Sequence, residues 1–337
     1  NKMEFSFSNQ RWLTKEEVDS GSEFNRNALG FHKPGMWDKI VDVSTCHLQA
    51  DPSNAIRNFV RAYAHENSIS FFDPKNKAGF LRSLMIRTTS TEEVMIVLQV
   101  FHKEDTILFP VLDALAQEFP DITSLQYVIN GKANDTLYDQ EIVCYKGQDY
   151  ITEVMEALQF RITAKSFYQT NSLQAFELYK VVRELADLQG DELVYDLYTG
   201  TGTIAQFVAQ KAQKVVGVDV VPDSINAAKS NAFHNKIDNV FFETGDMKAI
   251  FTEEFIDRHG KASVVITDPP RDGMHKDVVQ QLLDLSPDRI VYVSCNSATQ
   301  ARDLSLMKEQ YRLVASQAVD MFPQTHHVEN VVLLQKI

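Results

Sequence analysis

Leu193-Val194-Tyr195-Asp196-Leu197-Tyr198-Thr199-Gly200-Thr201-Gly202-Thr203 decides the fold. Its first five residues read as a buried strand, its glycines as a tight loop, and the chain from Thr203 as a helix. Outward from this point the two patterns alternate. Strands are expected at 215–219, 240–242, 263–267 and 290–294, and helices at 173–188, 222–235, 276–285 and 299–309. Alternation of this kind predicts an α/β fold with a parallel, doubly wound, Rossmann-like sheet. The segments 312–318 and 328–335 are both strand-like with no helix between them, which predicts antiparallel final strands. Upstream of about residue 162 the pattern differs. A helix is expected over 51–66, with Asp51 as its cap and Pro52 in its first turn, and another over 108–118. Strands are expected at 82–87, 94–101, 125–130 and 141–145. This part reads as an α+β domain with an antiparallel sheet. Two domains follow, 1–162 and 163–337.

The chain has 337 residues, enough for two cores, and contains no run of about 18 apolar residues that would span a membrane. Its net charge of -13 argues against nucleic-acid contact unless local cations or a basic segment outside this chain supply the footprint. The three cysteines, Cys46, Cys144 and Cys295, are far apart and odd in number. They point away from a disulfide framework and toward a reducing cytoplasm, and Cys144 reads as a core residue. The opening Asn1-Lys2-Met3-Glu4-Phe5 reads as strand without an initiating methionine, so a fragment of a longer protein is expected.

In a doubly wound sheet the ligand sits at the carboxyl ends of the strands. Gly200 and Gly202 let the backbone approach a ligand there. Asp219 ends the second strand, where a carboxylate accepts ribose hydroxyls, and Asp246 follows the third, where it can face an adenine ring. Gly200-x-Gly202-x-x-Ala205 with Asp219 also fits a dinucleotide fingerprint. Asp196 separates the two readings. A carboxylate entering the loop repels a pyrophosphate but suits a cationic sulfonium and an amino group. S-adenosylmethionine is therefore expected over NAD.

Val293-Ser294-Cys295-Asn296 places a thiol at a strand end. A lone cysteine on an apolar strand is ordinarily a small buried hydrophobe. At a strand end it can instead be a nucleophile, given a positive field from the helix near 299 and from Arg302. Asp268-Pro269-Pro270-Arg271 is a stiff turn whose Asp268 can hydrogen-bond a planar substrate edge. Glu329 follows His326 and His327. Local spacing makes it a solvated surface carboxylate, and a base only if it points into the pocket. Adjacent histidines on a strand face opposite ways, so no metal centre is expected from them.

These blocks, with Phe167-Tyr168-Gln169-Thr170-Asn171 and Met321-Phe322-Pro323-Gln324-Thr325-His326-His327-Val328-Glu329, resemble the RNA 5-methyluridine (uracil-C5) methyltransferase family. The resemblance implies a class I, S-adenosylmethionine-dependent domain. It makes Cys295 the nucleophile at uracil C6, Glu329 the base at C5 and Asp268 the holder of the uracil edge. It makes Gln169, Asp196, Tyr198, Gly200, Gly202, Asp219 and Asp246 cofactor contacts, and the first domain an RNA-binding one. Where members carry proline after the Cys-Asn pair, this chain has Ser297. Cys46 matches the last of four iron–sulfur ligands found in ribosomal members, and would be a ligand only if upstream cysteines exist. On that ground 23S ribosomal RNA is the expected partner ahead of transfer RNA, with the enzyme monomeric. The competing readings are a non-catalytic RNA-binding factor that keeps the fold and a methyltransferase acting on an amino group.

Overall fold

The computed structural model describes residues 1–337. The chain divides into two compact units, Asn1–Glu153 with Ile162–Lys165, and Val154–Arg161 with Ser166–Ile337.

The first unit contains β1 (Lys2–Ser8), α1 (Lys15–Asp19), β2 (Ala28–Lys33), β3 (Met36–Asp42), α2 (Ser53–Glu66), β4 (Leu81–Thr88), β5 (Val94–Val100), α3 (Asp105–Glu118), β6 (Ser124–Ile129) and β7 (Ile142–Gly147). Its seven strands run in the order β3-β2-β1-β4-β5-β6-β7. Every residue of β5 is buried, as an apolar run covered on both faces should be. Ile56, Val60 and Ala64 form the buried stripe of α2, and Leu108, Leu112 and Leu115 that of α3.

Three expectations are corrected here. The sheet is mixed rather than antiparallel, because α3 carries the chain across so that β6 lies parallel to β5. Pro52, not Asp51, caps α2, and no side chain bonds the free N–H groups there. Cys144, read as core, is exposed, because β7 is the edge strand and this residue faces out. The hairpin of β2 and β3 and the short α1 are additions that the sequence reading lacked.

The ribbon β8 (Tyr150–Met155) and β9 (Leu158–Thr163) follows. The second unit then carries α4 (Ser172–Ala186), β10 (Leu193–Leu197), α5 (Thr203–Ala209), β11 (Lys214–Asp219), α6 (Pro222–His234), β12 (Val240–Thr244), α7 (Glu253–His259), β13 (Val264–Thr267), α8 (Lys276–Leu285), β14 (Arg289–Ser294), α9 (Ser297–Met307), β15 (Tyr311–Val319) and β16 (Glu329–Lys336). The order is β12-β11-β10-β13-β14-β16-β15. The first five are parallel, and β16 inserts antiparallel between β14 and β15. This is the doubly wound sheet with antiparallel final strands that the sequence predicts. The strand order reverses between β10 and β13, which opens a crevice at their carboxyl ends. Helix α7 was not anticipated, and α9 starts at Ser297 rather than near 299.

Candidate active site

Strand register brings the chemistry-bearing residues to one end of the second unit's sheet. Leu197 pairs with Thr267, and Thr267 with Tyr292, so Asp268 begins the turn directly after β13, between the ends of β10 and β14. The antiparallel register of β14 and β16 ends at Ser294 against Asn330. Cys295 and Glu329 are the next residues beyond that last pair, and Glu329 is near enough to raise the Cys295 thiol. Glu329 is 9% exposed, which overturns the solvated-surface reading: its strand is an inserted inner one, not an edge.

The neighbouring backbone is held from several sides. The Asn296 side chain caps α9 by accepting from Ala298 N at 3.1 Å, and its Nδ2 donates to Arg271 O at 3.1 Å. Thr299 Oγ1 donates to the same carbonyl at 3.2 Å. Buried Gln300 donates to Tyr292 O at 2.9 Å and Asn330 O at 3.2 Å, stapling β14 to β16 beside the thiol and the carboxylate. Asp303 accepts from Met274 N and from the Tyr292 hydroxyl, both at 2.8 Å, which fixes the far end of the Asp268–Gly273 turn.

The cofactor loop is equally constrained. Tyr198, Gly200 and Gly202 all have positive φ, a conformation that strains the tyrosine and suits the glycines. Asp196 Oδ2 accepts from Thr199 Oγ1 at 2.5 Å and from Ala205 N at 3.0 Å. Its Oδ1 is buried without a partner. Asp219 accepts from Gly200 N and Val221 N, each at 2.9 Å, so the second strand's carboxylate shapes the loop directly. Above Gly200 nothing lies within 4 Å of an added Cβ, whereas at Gly217 that atom would stand 2.6 Å from the Phe242 ring and 2.8 Å from Thr199 Oγ1. Gly217→Ala is therefore expected to cost about 1–3 kcal/mol by overpacking and to lower the melting temperature by roughly 5 °C. An unchanged melting temperature would mean that Phe242 swings aside freely.

Burial and like charge push the acids here upward. Asp196 is pushed up to about 7, chiefly by burial, against which its two hydrogen bonds act. Asp268 is pushed up to about 8 by burial, then by Glu329 and Asp196. Burial also raises Glu329, while Arg271 lowers it. The Cys295 thiol is raised by burial and by Glu329 and Asp268, and Arg271 opposes them. The cation facing the thiol is thus Arg271. Arg302, expected in that role, is bound instead to the Asp303 carboxylate at 2.7 Å and to Asp272 O at 2.9 Å.

A narrow cleft of about 40 Å³ opens among Gln169, Tyr198, Gly200, Thr201, Tyr168 and Asp268. Asp196 and Asp219 lie beneath the same loop through their bonds to it. Gly202 caps α5. Asp246 is exposed on the turn after β12, near enough to raise the Tyr198 hydroxyl together with burial and Asp303. An open approach above Gly200, an unpartnered Asp196 oxygen and three acidic strand ends fit a cationic nucleoside ligand. Cys46 lies in the first unit, buried, with its backbone bonded by Asn54. No group of three or more metal-binding side chains occurs, so the residues of this chain do not assemble an iron–sulfur site. Arg271 and Gln300 are the functional residues that sequence reasoning left unassigned. Arg271 was visible in the Asp-Pro-Pro-Arg turn, but its direction was not.

A family model described as tRNA (uracil-5-)-methyltransferase matches residues 86–337. The chain belongs to that family. It is an RNA methyltransferase of class I that uses S-adenosylmethionine. It is 56% identical to an "uncharacterized RNA methyltransferase" of Porphyromonas gingivalis, over 99% of this chain and 74% of the relative. A counterpart in Chlorobaculum tepidum is 37% identical over 100% of this chain and 71% of its own length. Among solved structures, the Pyrococcus abyssi tRNA (uracil-54, C5)-methyltransferase in complex with S-adenosyl-L-homocysteine superposes with a TM-score of 0.79 at 30% identity. The match covers 99% of this chain and 75% of that one. No helix of this family member is long and apolar enough to cross a membrane.

Proposed function

We propose that this methyltransferase forms 5-methyluridine in RNA through a covalent adduct of Cys295 with uracil C6. The nearness of Cys295 to Glu329 beyond the last pair of β14 and β16, with Arg271 acting on both, carries the reading. The cofactor is held by Gln169, Asp196, Tyr198, Gly200, Gly202, Asp219 and Asp246. When bound, it supplies a methyl group on a cationic sulfur.

Asp268 holds its proton near neutral pH, being pushed up to about 8. A neutral carboxyl donates one hydrogen bond and accepts another, which matches the carbonyl and N3–H of a uracil edge. Arg271 favours the thiolate of Cys295, whose proton passes to solvent. The sulfur bonds to C6, and the electrons of the C5–C6 double bond move to C5, where the methyl is accepted. Glu329 then takes the C5 proton. The released electron pair re-forms the double bond and expels the thiolate. Splitting one difficult substitution into addition and elimination is the advantage of covalent catalysis. The target uridine has to leave its stack to reach the cleft.

The RNA class is the finer part of the proposal. The match of Cys46 to a cluster ligand of ribosomal members supports 23S ribosomal RNA. The Pyrococcus abyssi relative, named for uracil-54 of transfer RNA, supports a second reading, transfer RNA. We further propose that the enzyme acts as a monomer in the cytoplasm. The test is methylation of 23S fragments and transfer RNA in competition, followed by nucleoside mass analysis. The expected product is 5-methyluridine, formed faster on the ribosomal RNA. Methyl label on another nucleoside would refute the chemistry, and preference for transfer RNA would refute only the substrate.

A further inference from the structure

An open groove of about 1050 Å³ in the second unit lies away from the cleft, along the edge strand β12. Val240, Phe242 and Ala232 are its buried apolar floor. Its walls carry Lys214, Lys229, Lys236 and Arg258 against only Asp238 and Glu243, a formal excess of 4 − 2 = 2 positive charges with histidines neutral. The whole chain has a net charge of -13, so this local sign is opposite to the average. Glu243 is already engaged by Arg258 at 2.7 Å and by His259 at 2.8 Å. Lys229 and Lys236 form no salt bridge, which leaves two cations uncommitted.

Two aromatic rings stand among these cations. Phe233 is 86% exposed at the end of α6, and Lys229, four residues earlier, shares its helix face. Phe241 is 45% exposed with Lys214 Nζ 5.0 Å from its ring centre. A single exposed phenylalanine is unremarkable. Open aromatic faces interleaved with free lysines along a groove are what a single-stranded nucleic acid requires: rings for its bases, cations for its phosphates. A protein partner of matching charge would be an acidic peptide, which leaves the flat exposed face of Phe233 unexplained.

We propose that this groove binds a single-stranded segment of the RNA substrate remote from the methylated uridine. It lies at the amino end of β12, four strands from β14, while Cys295 lies past the carboxyl end of β14. Strand spacing and rise put the two on the order of 25 Å apart. The groove is thus an anchor for flanking nucleotides. It gives an acidic enzyme the basic footprint that its total charge denies. The inference rests on RNA being the substrate and deepens that reading.

The test compares the parent with K229A/K236A and with F233A, using a long RNA substrate and a short hairpin bearing only the target loop. Affinity for the long RNA should fall about tenfold in F233A, the usual size of one lost base stack. In K229A/K236A the slope of log affinity against log salt should shrink by about 1.4, two phosphates' worth for a single strand. Turnover on the short hairpin at saturation should be unchanged in both, which separates failure of the anchor from failure of the uridine chemistry. Unchanged long-RNA affinity and slope in folded variants would overturn the proposal. Loss of self-association without loss of RNA affinity would also overturn it, by giving the groove to a second copy of the chain.

Discussion

Cys295→Ala abolishes both methyl transfer and the RNA adduct, whereas Glu329→Gln slows turnover and keeps the adduct. That is the expected result when each variant is incubated with RNA and S-adenosylmethionine and run on a denaturing gel. The two residues lie next to each other beyond the last pair of β14 and β16 yet act at different steps, and the gel separates those steps. Without the thiol no bond to C6 forms, and the rate should drop by roughly 10⁴–10⁶-fold, the scale seen on removing a nucleophile. Without the carboxylate the C5 proton stays, so elimination stalls after methylation. A general base contributes about 10²–10⁴-fold, so Glu329→Gln should turn over that much more slowly while protein-bound RNA accumulates. Glutamine keeps the shape of the glutamate, which limits repacking at a site that is 9% exposed. 5-Fluorouridine in the RNA should trap the parent in the same way, because fluorine cannot leave as a proton. An adduct persisting in Cys295→Ala would place the nucleophile elsewhere. An adduct missing from Glu329→Gln, with RNA binding intact, would remove Glu329 from the elimination step.

The second unit was legible because every parallel strand there except β12 is followed by a recognisable helical pattern, and a parallel sheet needs those crossovers. The acidic strand ends followed from that order alone. The nearness of Cys295 to Glu329 did not. It depends on β16 inserting between β14 and β15, a pairing across 36 to 46 positions that no local pattern encodes. For the same reason Glu329 looked solvated. In the first unit, the helix between β5 and β6 was in view, and its 14 residues are enough for a crossover. Reading the two strands as antiparallel neglected that. The hairpin of β2 and β3 turns at Pro34-Gly35, a turn signal present in the sequence and passed over. Arg271 shows another limit. Its residue type suits acidifying a thiol, but so does that of Arg302, and only the Asp303 carboxylate decides which guanidinium is free.

Raising the pH from about 6 to about 8.5 should tighten S-adenosylmethionine binding at least about tenfold while it destabilises the free protein. Both effects have one origin. Asp196 and Asp268 ionise at about 7 and about 8 in the fold, against an ordinary value of 3.8. Between those limits the folded chain holds protons that the unfolded chain has released. Stability therefore falls as pH rises from about 4 through about 8, the reverse of a salt-bridged carboxylate. A cationic sulfonium reverses the balance at Asp196, the cofactor-side acid, because it favours the ionised carboxylate and drives its proton off. Its affinity rises through about pH 7 and levels off once Asp196 is charged. S-adenosylhomocysteine, with neutral sulfur, should show a shallower slope. Asp268 is the better residue to change, since Asp196 also orders the loop through Thr199 and Ala205. Asp268→Asn should flatten the pH dependence of stability and raise the melting temperature near pH 8.5 by a few degrees, about 1 kcal/mol for a unit of this size. Asp268→Ala should lose methyl transfer, because it removes both hydrogen bonds to the uracil edge, whereas the amide of Asp268→Asn keeps a donor and an acceptor there. A lower melting temperature in Asp268→Asn would show that the carboxyl stabilises the fold. Equal slopes for the two cofactor forms would show that Asp196 does not sense the sulfonium charge.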